Sequence, residues 1–402
     1  MKKRELRKIF ASFLVASVAL TACNSGGDQA EQPEENKQEE QAAEDQEEVK
    51  KESAEESVAV QQINVFAEMK AELEKMKENQ EVDWDLVIEK YQSGLQNGVN
   101  EVNGEFDATI MAALEAGKSG DMDANIARQL VDKTTQSYFY QKQKSLHKEA
   151  AEQLAAGNQE EADKSFEQIK HLASEIFVPT AEKRDNYYEL SGEASIAENI
   201  NAGLEAQEEA LTSGNADDFN VFIQLTDKSV YKSYYLASAS YAEKIEAAVE
   251  EGKDEAELKN MQAEAWGFYQ AIKGSLSGGD EEAANKLNEL FSLDATEPAS
   301  IKADEVNSLF NKAIVGKIKS YHEKVPTSLG EDKLVDAKTQ ALEGNMFLKA
   351  LQIQLNEKLG EDKAQEAFTH AEEWFNAVSE GSQEEAKTHS DAIIQTVDQL
   401  LQ

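Results

Sequence analysis

The chain has 402 residues, 79 acidic against 40 basic, and a formal net charge of −39 at pH 7. That imbalance excludes a general nucleic-acid or anionic-membrane surface, because both need a basic face. Strong helix formers (Ala, Glu, Lys, Gln, Leu) dominate, prolines number four and cysteine one, so helices are expected and disulfides are not available to hold them.

The chain begins with a basic segment, Lys2, Lys3, Arg4, Arg7 and Lys8, followed by an apolar run from Ile9 to Leu20. The run has signal-peptide length and is too short to span a bilayer comfortably. Small residues Thr21 and Ala22 then precede Cys23, the single cysteine. Leu20-Thr21-Ala22-Cys23 resembles the lipobox of bacterial lipoproteins. The resemblance implies cleavage before Cys23, a diacylglycerol on its sulfur, and a mature protein held by lipid at the extracytoplasmic face of the cell membrane. Each buried methylene of such an anchor contributes about 0.8 kcal/mol, so more than one acyl chain holds firmly. Residues 1–22 thus read as a lipoprotein signal peptide. Residues 23–57 read as an acidic, extended tether: Asn24 to Ser57 carries 13 acidic and 3 basic residues and almost no large apolar side chain. Such a segment cannot bury enough surface to offset the entropy of ordering.

Order is expected from Val58. Val60, Ile63, Phe66, Met69 and Leu73 recur at helical spacing, and Asp83-Trp84-Asp85 reads as the start of the next helix. Asn97-Gly98 and Asn103-Gly104 read as breaks, and the helix around Ile110 to Leu114 as ended by Gly117 and Gly120. Gln129-Leu130-Val131-Asp132-Lys133 then returns as Gln224-Leu225-Thr226-Asp227-Lys228, 95 positions later. In the same register Phe139-Tyr140 matches Tyr234-Tyr235, Ser145 matches Ser240, and Gly157 matches Gly252. A fainter third copy, 108 residues beyond the second, aligns Gly252, Asp254, Ala263, Glu264 and Trp266 with Gly360, Asp362, Ala371, Glu372 and Trp374. These are helical hairpins, each a long helix, a glycine turn and a second helix. Pro179 and Pro326 are expected to end helices. No sustained alternation of strand type occurs. The expected fold is therefore all-α, a duplicated helical-hairpin bundle without sheet, with a first unit over 58–190 and the second and third over 191–402.

Ala263-Glu264-Ala265-Trp266-Gly267-Phe268-Tyr269 and Asn311-Lys312-Ala313-Ile314-Val315-Gly316-Lys317, with Asp132-Lys133 and Phe139-Tyr140, are similar to all-helical segments of secreted proteins from spore-forming bacteria. Some of those carry a copper-amine-oxidase N-terminal-like domain. The resemblance implies a helical build and carries over no activity to this chain.

Chemistry is sparse. Glu167 and His171, Glu366 and His370, and Glu385 and His389 each stand four apart, so each pair shares a helical face and offers two metal ligands. The Glu-x-x-His spacing of di-iron bundles is absent. Asp121-x-Asp123-x-Asn125 begins like a calcium loop, but Ile126 stands where glycine is needed, so helix capping explains it better. In the repeated Asp132-Lys133 and Asp227-Lys228, adjacent positions diverge around the helix, so the two members are not expected to pair with each other. Tyr140 and Tyr235 follow two turns on, near the stripe of Lys133 and Lys228. These residues are expected either to fix how hairpins pack or to form a polar pocket in each half of the bundle. Trp84, Trp266 and Trp374 are expected in the core. Neither a phosphate loop nor a nucleophile elbow is found. The expectation is a non-enzymatic, membrane-anchored binding or structural module, without cofactor or nucleic-acid partner; the alternative is a metal- or haem-handling accessory protein using the Glu/His pairs or the repeated Asp-Lys-Tyr stripe.

Overall fold

The computed structural model describes residues 57–402. The expected signal peptide, the tether up to residue 56 and the lipidation site Cys23 lie outside the described residues. Among those described, the protein is all-α, with no strand. None of the described helices is long and apolar enough to cross a membrane.

The first part is built of short helices, α1 (Val58–Glu74), α2 (Trp84–Gly94), α3 (Gln96–Val102) and α4 (Gly104–Ser119). The expected cap is present, Asp83 accepting from the Leu86 N–H; Asn103, read as a break, does separate α3 from α4 and accepts from the Glu105 N–H. Asn97-Gly98 does not break the chain. It lies inside α3, where Gln62 and Tyr138 press close to Gly98 and tertiary packing overrides local propensity. Gly117 likewise lies within α4, closely packed by Trp84 and Ala127, and the helix ends at Gly120.

The long helix α5 (Ala124–Ala155) follows, capped by Asp123, whose carboxylate accepts from the Asn125 and Ile126 N–H groups. The aspartates of the calcium-like motif thus serve a helix start. A tight turn at Gly157 leads into α6 (Gln159–Leu172). Pro179 does not break the chain after it. A single π turn over Ala173–Phe177 carries the helical path into α7 (Val178–Tyr187), with the proline in the first turn, where an N–H is not needed. Next come α8 (Ile196–Thr212), α9 (Ala216–Glu250), α10 (Glu255–Ser277) and α11 (Glu281–Phe291). The chain closes with α12 (Ala303–Gly330), α13 (Leu334–Ala350), α14 (Gln352–Leu359), α15 (Glu361–Ser379) and α16 (Gln383–Val397). Pro326 sits within α12 rather than ending it, because Val325 and Ser328 are both buried and packing carries the last turn past the missing N–H.

Helix α9 is the axis. Every residue from Leu225 to Ser240 is buried, so this stretch has no solvent face. It packs on its neighbours α8 and α10, and also on α5, α12 and α13. The buried apolar side chains form one connected cluster from Ala59 to Leu400, continuous across the boundary expected near residue 190. Trp374 is in it, 1 % exposed, while Trp84 and Trp266 are half-buried against it. The closest backbone approach explains two glycines: a Cβ on Gly279 would meet the Ala313 carbonyl at 2.0 Å, and one on Gly316 the Gly279 carbonyl at 2.2 Å. The turn after α10 therefore rests on bare α12 backbone.

The expected hairpin turns hold for the first two copies, with Gly157 at φ 78° and Gly252 at φ 73°. Gly360 differs, at φ 85° and ψ 156°, so it does not close the same turn. The structural counterpart of hairpin α9–α10 is α12–α13, turned at Asp332 with φ 58°.

Candidate functional site

The repeated aspartate–lysine pairs sit in two copies of one side-chain unit. On α5, Lys133 donates to Asp132 at 2.5 Å, and Gln136 donates to the other oxygen at 2.9 Å. On α9, Lys228 donates to Asp227 at 2.5 Å and to Glu343 of α13 at 2.9 Å. The expectation that neighbours in sequence would not pair is thus wrong for both. Each lysine has a four-carbon stem, and with most of its side chain buried its ammonium folds back onto the preceding carboxylate.

The surroundings repeat as well. The Lys133 ammonium lies over the Phe268 ring at 5.0 Å, and that of Lys228 over Phe347 at 5.4 Å. Phe268 stacks on Tyr241 (6.3 Å, 17°), and Phe347 on Tyr321 (5.9 Å, 15°). Tyr241 hydrogen-bonds Glu264, one turn before Phe268, and Tyr321 hydrogen-bonds Glu343, one turn before Phe347. Lys244 covers the Tyr241 ring at 4.4 Å and Lys324 covers Tyr321 at 4.8 Å. The first unit uses α5, α9 and α10, the second α9, α12 and α13, so α9 belongs to both. Sequence comparison found the Asp–Lys half of each unit but missed the Glu–Phe and Tyr–Lys halves. Their signal was present, Glu-x-x-x-Phe on two helices and Tyr-x-x-Lys on two, in a register different from 95.

The tyrosines separate. Tyr140 donates to the Asp227 carbonyl at 3.3 Å and so joins the second unit, with the Lys144 ammonium over its ring at 4.3 Å. Tyr235 packs on Phe310 at 5.0 Å and takes no part. The units also differ in access. Around Asp132, α1 closes over the pair, Lys70 lies 3.9 Å away, and a cavity of about 10 Å³ remains. Around Asp227 the structure opens into a cleft of about 430 Å³ between α5, α9 and α13. Its lining includes Lys144, His147, Asn220, Gln224, Asp227 and Glu343. Asp227 Oδ1 and Gln224 Oε1 are buried there without a well-formed hydrogen bond, the Tyr140 hydroxyl standing beside the Asp227 carboxylate. Asp227 is held well below the usual carboxylate range by Lys228 and Lys144, against the effect of burial. Burial lowers Lys144 and brings His147 to about 4, so the imidazole is neutral at pH 7.

Of the Glu/His pairs, Glu167 bonds Lys170 at 2.7 Å rather than joining His171. His370 and His389 do come together, with Nδ1 atoms 3.0 Å apart across the α15–α16 hairpin. The carboxylate beside them is neither Glu366 nor Glu385 but Glu373, 3.0 Å from His389 and 3.7 Å from His370. The signal was the reversed order, His370-x-x-Glu373. A serine–histidine contact also occurs, His322 Nδ1 to Ser390 Oγ at 2.7 Å. The imidazole stacks on Trp374 at 3.7 Å and no partner reaches its Nε2, so no acid orients it as a catalytic base requires.

No protein-family model, no curated protein and no solved structure matches the chain.

Proposed function

We propose that the chain is a lipid-anchored, extracytoplasmic binding module that works without catalysis and takes a small, hydroxyl- or amine-rich molecule into the cleft between α5, α9 and α13. The observation that carries this reading is the pair of buried acceptors without a well-formed hydrogen bond, Asp227 Oδ1 and Gln224 Oε1, in the wall of an open cleft. A buried acceptor left without a donor costs about 1–3 kcal/mol, which a ligand's hydroxyl or ammonium group would recover. The first unit, closed by α1, then serves packing, and the second, left open, serves binding. The anchor rests on Leu20 to Cys23 and the acidic tether, which would hold the folded part clear of the bilayer.

The binding half is tested by thermal shift with sugars, polyols and amino acids on the wild type and on Gln224→Leu at the cleft wall. A ligand that raises the wild-type midpoint and fails to raise that of the variant supports the reading. If no such compound acts, or if the variant responds equally, the cleft is not a binding site. The location is tested separately: Cys23→Ser is expected to appear in the medium or to stay unprocessed. A mutant that remains membrane-bound at mature size ends the lipid assignment.

A further inference from the structure

We infer that His370, His389 and Glu373 form a binding site for one divalent transition-metal ion on the α15–α16 hairpin, distinct from the cleft and independent of it. The three ligand atoms lie 3.0, 3.0 and 3.7 Å from one another. An ion about 2.0–2.2 Å from each of three ligands spaces them about 3.0–3.5 Å apart, depending on whether the arrangement is octahedral or tetrahedral. The triangle already has the size of one face of a coordination sphere.

Proton counting points the same way. With neutral imidazoles and an ionised carboxylate, a single N–H directed into the triangle can serve one edge well. If His389 donates to Glu373, the His370 nitrogen faces an N–H already committed elsewhere. If His370 donates to His389, the lone pair of His389 faces the carboxylate oxygen at 3.0 Å. A cation at the centre satisfies all three edges at once.

The scaffold holds the triangle in place. His370 and Glu373 stand one turn apart on α15, and His389 meets them from α16 after the tight turn at Gly381, φ 72°. Ala371, Trp374 and Ala386, adjoining positions on both helices, are buried, so the hairpin is packed before any ion arrives. The histidines are half-buried and Glu373 is half-exposed, which leaves further coordination positions open to solvent. Two imidazoles with one carboxylate is a donor set for Zn²⁺ and its neighbours among the borderline metals, whereas Ca²⁺ and Mg²⁺ prefer oxygen alone. Selectivity matters in a chain of charge −39, whose surface attracts any cation weakly.

The test is titration of chelator-stripped, full-length protein with Zn²⁺ in excess Mg²⁺, which occupies the diffuse acidic surface. One equivalent is expected to bind. Replacing even the residues behind a metal ligand costs roughly 10–100-fold in affinity, so His370→Gln and His389→Gln should each lose about a hundredfold or more. Glu373→Gln should weaken binding, while Glu366→Gln, Glu385→Gln and His171→Gln should bind as the wild type does. Helicity by circular dichroism checks that each variant is folded. Co²⁺ gives a second readout, visible absorption bands in the wild type that disappear in His389→Gln. Wild-type affinity no greater than that of His370→Gln and His389→Gln overturns the assignment, as does binding that depends on Glu366 or Glu385 rather than Glu373.

Discussion

Replacing Lys228 by methionine is expected to destabilise the fold by about 3–5 kcal/mol, the cost of leaving buried charge without its counter-ion. The ammonium is the shared partner of two carboxylates, Asp227 at 2.5 Å and Glu343 at 2.9 Å, and its side chain is 9 % exposed. Methionine keeps most of the volume and the contact with Phe347 but leaves both acids facing each other. The same change at Lys133 should cost less, about 1–3 kcal/mol, because Asp132 retains Gln136 at 2.9 Å and Lys70 at 3.9 Å. The difference should persist across a wide pH range. Asp227 is lowered in the fold, so its contribution is complete above the ordinary aspartate range and is lost only as pH falls below it. Lys228 is raised, so its contribution is complete below the ordinary lysine value of 10.5 and is lost only as pH climbs beyond it. Urea unfolding of the two variants at neutral pH decides the matter. If Lys228→Met costs no more than Lys133→Met, Glu343 is not held by that lysine. Adding Asp227→Asn and Glu343→Gln to Lys228→Met should recover part of the loss, since the two facing carboxylates are removed, and only part, since Lys144 then loses the acids beside it.

The helices and the duplication were legible because they are local or keep a fixed offset. Helical spacing placed Val60 to Leu73 in α1, and the 95-residue repeat put both Asp–Lys pairs and both glycine turns in register. The helix ends were less legible. Gly98 and Gly117 carry breaking signals that close packing by residues distant in sequence overrides, while Pro179 falls in a first helical turn and Pro326 in a last one. Half of each repeated unit was hidden for a different reason. Glu264 and Phe268 correspond to Glu343 and Phe347 at an offset of 79, and Tyr241 to Tyr321 at an offset of 80, so a search in the 95-residue register misses them. The metal triangle was half-legible. Both histidines were candidates, yet pairing each with the glutamate before it looked along one helix, whereas the hairpin brings His389 to the other side of His370 and selects the glutamate after it. No local pattern encodes which side chains a hairpin brings together.

Stability should fall well before the carboxylates titrate: between pH 6.5 and pH 5 the protein is expected to lose about 3 kcal/mol, roughly half from His322 and half from His147. Burial lowers His322 from the usual 6.5 to about 3 and His147 from 6.5 to about 4. A base lowered in the fold binds fewer protons folded than unfolded, so stability falls as pH drops through the unfolded value and stops falling only below the folded one. His322 has no escape, because its ring is stacked on Trp374 at 3.7 Å with Nδ1 on Ser390. Other groups leave this window largely clear. Lys232 and Lys349, at about 8 and about 7, are mostly protonated folded or unfolded once pH is below 6.5. Asp132 and Asp227 act only near and below the ordinary aspartate range. Glu193 and Glu243 are raised by burial and act in the opposite sense, offsetting part of the loss at the acid end. Urea midpoints measured between pH 7 and pH 5 give the slope. His322→Gln keeps an amide able to meet Ser390 and cannot titrate, so it should remove about half of the slope, and adding His147→Gln should nearly flatten it. A His322→Gln variant with the wild-type slope would show that the imidazole gains its proton without leaving its place against Trp374.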